Sequence, residues 1–146
     1  MSSGENKDGR VLGVDPGSKR VGLAISSFDG TVALPLDVIR VSSLESVVKE
    51  IVEIAKSRNV SKIIIGHPIL ESGASGVKAE ESVKLCELLR ASTQIPVEVF
   101  DERYTTKIAK NALKDLGIKE KKQRDRIDML AATVLLESYL ESTNGK

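Results

Sequence analysis

The stretch VLGVDPGSKRVGLAIS, residues 11–26, decides the fold. Two runs of β-type residues, 11–15 and 21–26, flank Pro16 and Gly17, which supply turn chemistry between them. So short a connection joins antiparallel strands, because a parallel crossover needs roughly a dozen residues or more. Alternation along the first run puts Val11, Gly13 and Asp15 on one side and Leu12 and Val14 on the other. Gly13 and Gly22 remove side chains from adjacent strands, leaving room for a ligand or a helix near Asp15. A carboxylate closing an apolar strand costs burial energy unless a cation or hydrogen-bond donors replace its lost water. The competing account of Asp15 is that Asp-Pro-Gly is simply a good turn.

Outward from this hairpin, Asp29 and Gly30 mark a second turn, followed by a third β candidate at 31–40. Pro35 within it favours a sheet edge. The period then changes: Leu44, Val47, Val48, Ile51, Val52 and Ala55 recur at helical spacing, and Ser42 and Glu45 have the spacing of a capping box. KIIIG, 62–66, is a short apolar strand of the kind covered on both faces. ESGASG, 71–76, leads to a helix over about 79–90, and VEVF, 97–100, is another strand. Thr106 can cap a helix carrying Ile108, Ala109, Ala112, Leu113 and Leu116, which Gly117 ends. A basic link, 119–126, enters the last helix, where Ile127, Leu130, Ala131, Val134 and Leu135 form one face. The order β-β-β-α-β-α-β-α-α predicts an α/β fold with a mixed five-stranded sheet, three antiparallel strands then two parallel ones, and helices on both faces. That is the ribonuclease H-like (RNase H-like) architecture. Residues 1–9 read as a disordered tail, 10–141 as one domain and 142–146 as a flexible tail.

Composition limits the function classes. The chain has 146 residues, net charge +1, and only two Tyr, two Phe and no Trp, which argues against a site built on aromatic stacking. No apolar run approaches the roughly 20 residues of a membrane span, and MSSGENKDGR lacks a signal peptide's apolar core. A single cysteine, Cys86, forbids an internal disulfide and fits a reducing compartment, so the expected location is cytoplasmic. Charge is uneven: Lys107 to Asp128 holds eight basic and four acidic residues, an excess of +4 that leaves −3 for the remainder. Such a stretch suits a polyanion, although a solvated helix face is the commoner reason for one.

Two further acidic positions stand at element ends. Asp101 and Glu102 close VEVFDER, and residues ending a parallel strand border the crevice in which open α/β sheets bind ligands. In a continuing strand the two point to opposite sides, so one faces Asp15; Arg103 can hold the other, or a phosphate. An ordinary strand-to-helix loop accounts for them equally. Asp128 opens the last helical run, where the helix dipole favours a carboxylate typically by 0.3–1 kcal/mol, so plain capping is its alternative. If the three sites converge, they form an oxygen-only cage suited to one or two hard Mg²⁺ or Mn²⁺ ions. The metal ligands are then Asp15, Asp128 and one of the pair, with Glu102 preferred over Asp101 for its longer reach. Lys19, Arg20, Arg103, Lys121, Lys122, Arg124 and Arg126 are the candidates for contacts with backbone phosphates. In the glycine-rich loop GHPILESGASG, 66–76, the amides around Gly66, His67, Ser72, Gly73 and Gly76 can receive a phosphate or sugar edge. The loop matches neither mononucleotide nor dinucleotide fingerprints. His67 is the only histidine and a minor candidate for a general base; Cys86 lies in an apolar helical pattern and reads as core.

Four blocks, VLGVDPGSKRVGLAIS, IIIGHPILESGASG, VEVFDERYTT and RIDMLAATVLLESYL, resemble in order and spacing the bacterial YqgF/RuvX family, from about Arg10 to Leu140. Its members are described as Holliday junction resolvases and as nucleases maturing the small-subunit ribosomal RNA precursor. The resemblance implies an RNase H-like fold with the first-strand acid at Asp15, the acidic pair at Asp101 and Glu102 and the helix acid at Asp128. The chain departs from the family in three places. His67 and 69–72 replace the commoner residues of a GLPxNMDGxxG loop, Ser27 stands where Asp is common, and Asp125 interrupts the basic link. The implied activity is metal-dependent endonucleolytic processing of the 5′ end of precursor 16S rRNA. Holliday junction resolution and a non-catalytic nucleic-acid-binding module are the alternatives, and an actin-like phosphotransferase is disfavoured by the single small domain. The expected partner is nucleic acid, precursor rRNA ahead of branched DNA, with no membrane and a monomer or weak homodimer.

Overall fold

The sheet grows outward from its first strand. β1 (Arg10–Asp15) pairs antiparallel with β2 (Arg20–Ser26), and β2 antiparallel with β3 (Ala33–Arg40). On its other side β1 pairs parallel with β4 (Val60–His67), and β4 parallel with β5 (Val97–Asp101). The strand order is β3-β2-β1-β4-β5, the mixed sheet expected from the sequence. The structure, a computed structural model, describes residues 9–17, 19–67, 77–101 and 121–144. Among them the helices are α1 (Leu44–Ser57), α2 (Val77–Ser92) and α3 (Lys121–Asn144). The helix expected after Thr106 and the glycine loop beyond His67 lie outside the described residues.

Strand parity distributes the core to two faces. Leu12, Val14, Leu23, Ile63 and Ile65 pack with Val47, Ile51, Leu85 and Leu89 of α1 and α2. Ile64 and Ala24 point the other way, against Ala132, Leu135, Leu136 and Tyr139 of α3. The three isoleucines of β4 are thus fully buried on alternating sides, each worth about 1.5–3 kcal/mol of apolar burial. Gly13 faces α3 closely: a Cβ there would stand 3.1 Å from the Leu136 Cβ, so the space left by this glycine is filled by a helix. Phe100 of β5 meets Tyr139 of α3 edge to face, with centroids 5.5 Å apart.

Pro35 lies on β3, the edge strand, beside a register shift between Leu23 and Ala24. A missing backbone donor disturbs the ladder least at such a place. The α1 cap differs from the expected Ser42–Glu45 pair by one residue. The backbone is still extended at Ser43 (φ −154°, ψ 160°), so Ser43 is the N-cap and Ser46 completes the capping box. Ser43 Oγ accepts from the Ser46 amide at 3.1 Å and Ser46 Oγ accepts from the Ser43 amide at 3.3 Å; Ser42 only shares a hydroxyl contact with Ser46. α3 also begins earlier than the apolar pattern suggests, taking in 121–126 of the expected link, and it runs on to Asn144, past the boundary set at 141. No helix among the described residues is long and apolar enough to cross a membrane.

Candidate active site

Asp15 ends β1 on the same side as Gly13, the side that α3 covers. It is 8% exposed, and its register partner on β2 is Gly22. Gly22 lacks a side chain where the helix comes closest: a Cβ there would collide with the Asp128 carbonyl oxygen and lie 3.3 Å from the Asp128 Cβ. The glycine therefore seats Asp128 of α3 beside the end of β1. Two of the three acidic sites marked in the sequence are brought together in this way, one on a central strand and one on the helix that crosses it.

Asp128 is not in a first turn. α3 starts at Lys121, about two turns earlier, and the dipole effect fades within the first turn. Its compensation is instead a cation from β2: Arg20 Nε donates to Asp128 Oδ2 at 2.5 Å. The same nitrogen is 3.9 Å from Asp125 Oδ1, and Arg40 Nη2 of β3 donates to Asp125 Oδ2 at 2.8 Å. Arg20, expected among the phosphate contacts, is thus half-buried with its Nε committed to a carboxylate. Asp125, which in the sequence only interrupts a basic run, is a structural ion-pair partner. Asp125 and Asp128 are three apart on one helix face, a spacing that would have signalled the pair had the helix been started at 121.

The carboxyl ends of β1, β4 and β5 share one edge of the sheet. Val14 is level with Ile65, and His67 is level with Asp101. With adjacent strands about 4.8 Å apart, β5 ends roughly two spacings, about 10 Å, from β1. The Asp101 side chain, Glu102, Arg103, Ser72, Gly73 and Gly76 are outside the described residues, as are the side chains of His67, Lys121 and Lys122. Among the described residues no group of three or more His, Cys, Asp or Glu gathers into a metal-holding cluster. Gly66 is buried, and its carbonyl accepts from Ser82 Oγ of α2 at 2.9 Å, so this carbonyl is tied to the scaffold. Lys19, Arg124 and Arg126 are exposed. Cys86 is buried in the core as expected, and burial pushes its thiol pKa up, the reverse of what activates a nucleophile.

Residues 9–142 match the family described as "RuvX: Holliday junction resolvase". The chain belongs to the RuvX family. Among its relatives is a protein of Chloroflexus aurantiacus (strain J-10-fl) named "Putative pre-16S rRNA nuclease", 36% identical over 132 residues, which span 90% of this chain and 86% of that one. A protein of the same name from Caldanaerobacter subterraneus is 41% identical over 134 residues, 91% of this chain and 96% of the relative. Among solved structures, Thermus thermophilus RuvC in complex with a Holliday junction substrate aligns with a TM-score of 0.60 at 17% identity, covering 94% of this chain and 96% of the other. Fowlpox virus resolvase with junction DNA aligns at 0.53 and 14% identity, covering 92% and 98%. At such identities the likeness is one of fold, and it shows the RNase H-like architecture that the element order implied. In this chain Asp128 lies against Gly22, the register partner of Asp15.

Proposed function

We propose that this chain is a divalent-metal-dependent endonuclease acting on precursor 16S rRNA in the cytoplasm, with residues 10–141 as its nuclease domain. The observation that carries the reading is the seating of Asp128 beside Asp15 through Gly22. Two carboxylates on rigid elements at the carboxyl edge of a sheet are a hard oxygen donor set, which fits Mg²⁺ or Mn²⁺ and needs neither histidine nor thiolate. Asp15 and Asp128 would hold the metal, with the third carboxylate from Asp101 or Glu102, Glu102 being preferred. A metal there would lower the pKa of an attacking water and stabilise charge on the leaving oxygen. Lys19, Arg124 and Arg126, together with Arg103, Lys121 and Lys122, would hold backbone phosphates and so position the polymer without reading its sequence. The choice of RNA rests on the relatives' names.

The family description supports a second substrate, the four-way DNA junction. Both are tested side by side, with Mg²⁺, Mn²⁺ or EDTA, using wild type and Asp15→Asn. RNA cleavage lost with EDTA and in the variant is expected. Cleavage of the junction alone would redirect the enzyme to recombination. Cleavage untouched by Asp15→Asn would refute this mechanism, and salt-sensitive binding with no turnover would make the chain a binding module.

A further inference from the structure

Two carboxylates one turn apart on α3 hold Arg20 unequally. Asp128 Oδ2 takes its Nε–H at 2.5 Å, while Asp125 Oδ1 is 3.9 Å from the same nitrogen. Asp125 Oδ1 is buried and, among the described residues, accepts no hydrogen bond. Its sister oxygen is fixed by Arg40 Nη2 at 2.8 Å. A buried carboxylate oxygen with no hydrogen-bond donor among the described residues is costly, and a second arrangement of these ion pairs in which it accepts would relieve that cost. A cation taking Asp128 would leave the Arg20 Nε–H without its acceptor, and Asp125 Oδ1 stands within a small rotamer adjustment of it. Arg40, reaching from the edge strand, holds Asp125 in place to receive the guanidinium.

We infer that Arg20 is a positioning residue of the metal site. It holds Asp128 when no divalent cation is bound and passes to Asp125 when one is. The inference rests on the metal-dependent reading of Asp15 and Asp128. Arg20 then keeps Asp128 oriented and charge-compensated in the metal-free protein. Asp125 in turn sets how readily Asp128 is released, although it touches neither metal nor substrate. Its appearance within the basic run is explained by this task.

Calorimetric titration of the full chain with Mn²⁺ alone tests the arrangement, using wild type, Asp125→Asn, Arg20→Met and the double variant. Asp125→Asn should weaken Mn²⁺ binding on the order of tenfold, a coupling usual within one ion-pair network, and Arg20→Met should tighten it. In the Arg20→Met background, Asp125→Asn should change affinity by less than about twofold, because Asp125 acts through Arg20. The same tenfold loss in that background would mean simple through-space charge and would overturn the inference while leaving the metal site standing. No Mn²⁺ binding by wild type, or binding indifferent to Asp15→Asn and Asp128→Asn, would overturn the metal reading and this inference together. A second readout needs no Arg20 variant. The ¹⁵Nε resonance of Arg20 should move on saturation with Mg²⁺ in wild type, to an end position that Asp125→Asn does not reproduce, because only the wild type offers a second carboxylate. A wild-type resonance that stays put, or the same end position in both, overturns the transfer.

Discussion

The Asp128 backbone rests on Gly22: a Cβ at position 22 would run into the carbonyl oxygen and carbonyl carbon of Asp128. The obstruction is backbone, so no rotamer change relieves it, and α3 would have to lift from β2. Gly22→Ala should cost about 1–3 kcal/mol through overpacking. It should also reduce cleavage on the order of a hundredfold, since a shift of about 1 Å in a reacting group can have that effect. Gly13→Ala is the control, because its Cβ would meet Leu136, a turn or more beyond Asp128, at 3.1 Å. It should lose stability with a smaller loss of activity. Urea denaturation and cleavage rates for both variants check the contrast.

Ser82 links α2 to the end of β4. Its buried hydroxyl donates to the Gly66 carbonyl at 2.9 Å, one residue before His67 and level with Phe100 of β5. Ser82→Ala should leave that carbonyl without this donor and cost about 1–3 kcal/mol. Denaturation midpoints measure the loss, and hydrogen exchange should place it in α2 and the end of β4 before the rest of the sheet.

Cys86 gives the core a pH dependence of definite sign. Burial raises its thiol pKa above the ordinary 9.0, and the nearby Arg90 offsets this only in part. The folded chain therefore keeps its proton at pH values where the unfolded chain has lost it. The contribution to stability is whole below the ordinary thiol value and is lost as pH rises through the raised one. Cys86→Ala should show a flatter stability profile than wild type above about pH 9. In the native protein at pH 8, Ellman's reagent should react only at the rate of local opening; rapid stoichiometric labelling would contradict the buried placement.

Much of the site could be read from the sequence because it depends on parity and on missing side chains. Alternation in VLGVD placed Asp15 with Gly13, and Gly22 announced a close approach, which α3 makes. The start of α3 was not legible. Its first two turns, KKQRDR, carry no apolar period, so the helical signal begins only at Ile127. The ion pairs of Arg20 with Asp128 and of Arg40 with Asp125 join residues 108 and 85 apart, a separation at which no local pattern survives. The α1 cap slipped by one because Ser42, Ser43 and Ser46 can all serve, and only the backbone angle at Ser43 chooses among them.

The phosphate track is separable from the metal site by salt. Lys19, Arg124 and Arg126 are exposed, whereas Arg20 is neutralised by Asp128 and Asp125. A cation free to displace counterions contributes about 0.7 to the slope of log K against log salt on single strands. Lys19→Gln, Arg124→Gln and Arg126→Gln should each lower that slope by about this amount and weaken RNA binding uniformly across sequences. Their Mn²⁺ affinity should change far less than the roughly tenfold expected for Asp125→Asn, since charges exposed to water interact weakly even at short range. Arg20→Met should do the reverse, moving metal affinity and barely changing the slope. Fluorescence anisotropy in Ca²⁺, over a series of salt concentrations, measures the slope on uncleaved RNA, and calorimetric titration with Mn²⁺ measures the metal affinity. An unchanged slope in the triple variant would mean that the polymer crosses another face, leaving only Arg103, Lys121 and Lys122 of the proposed contacts to carry it.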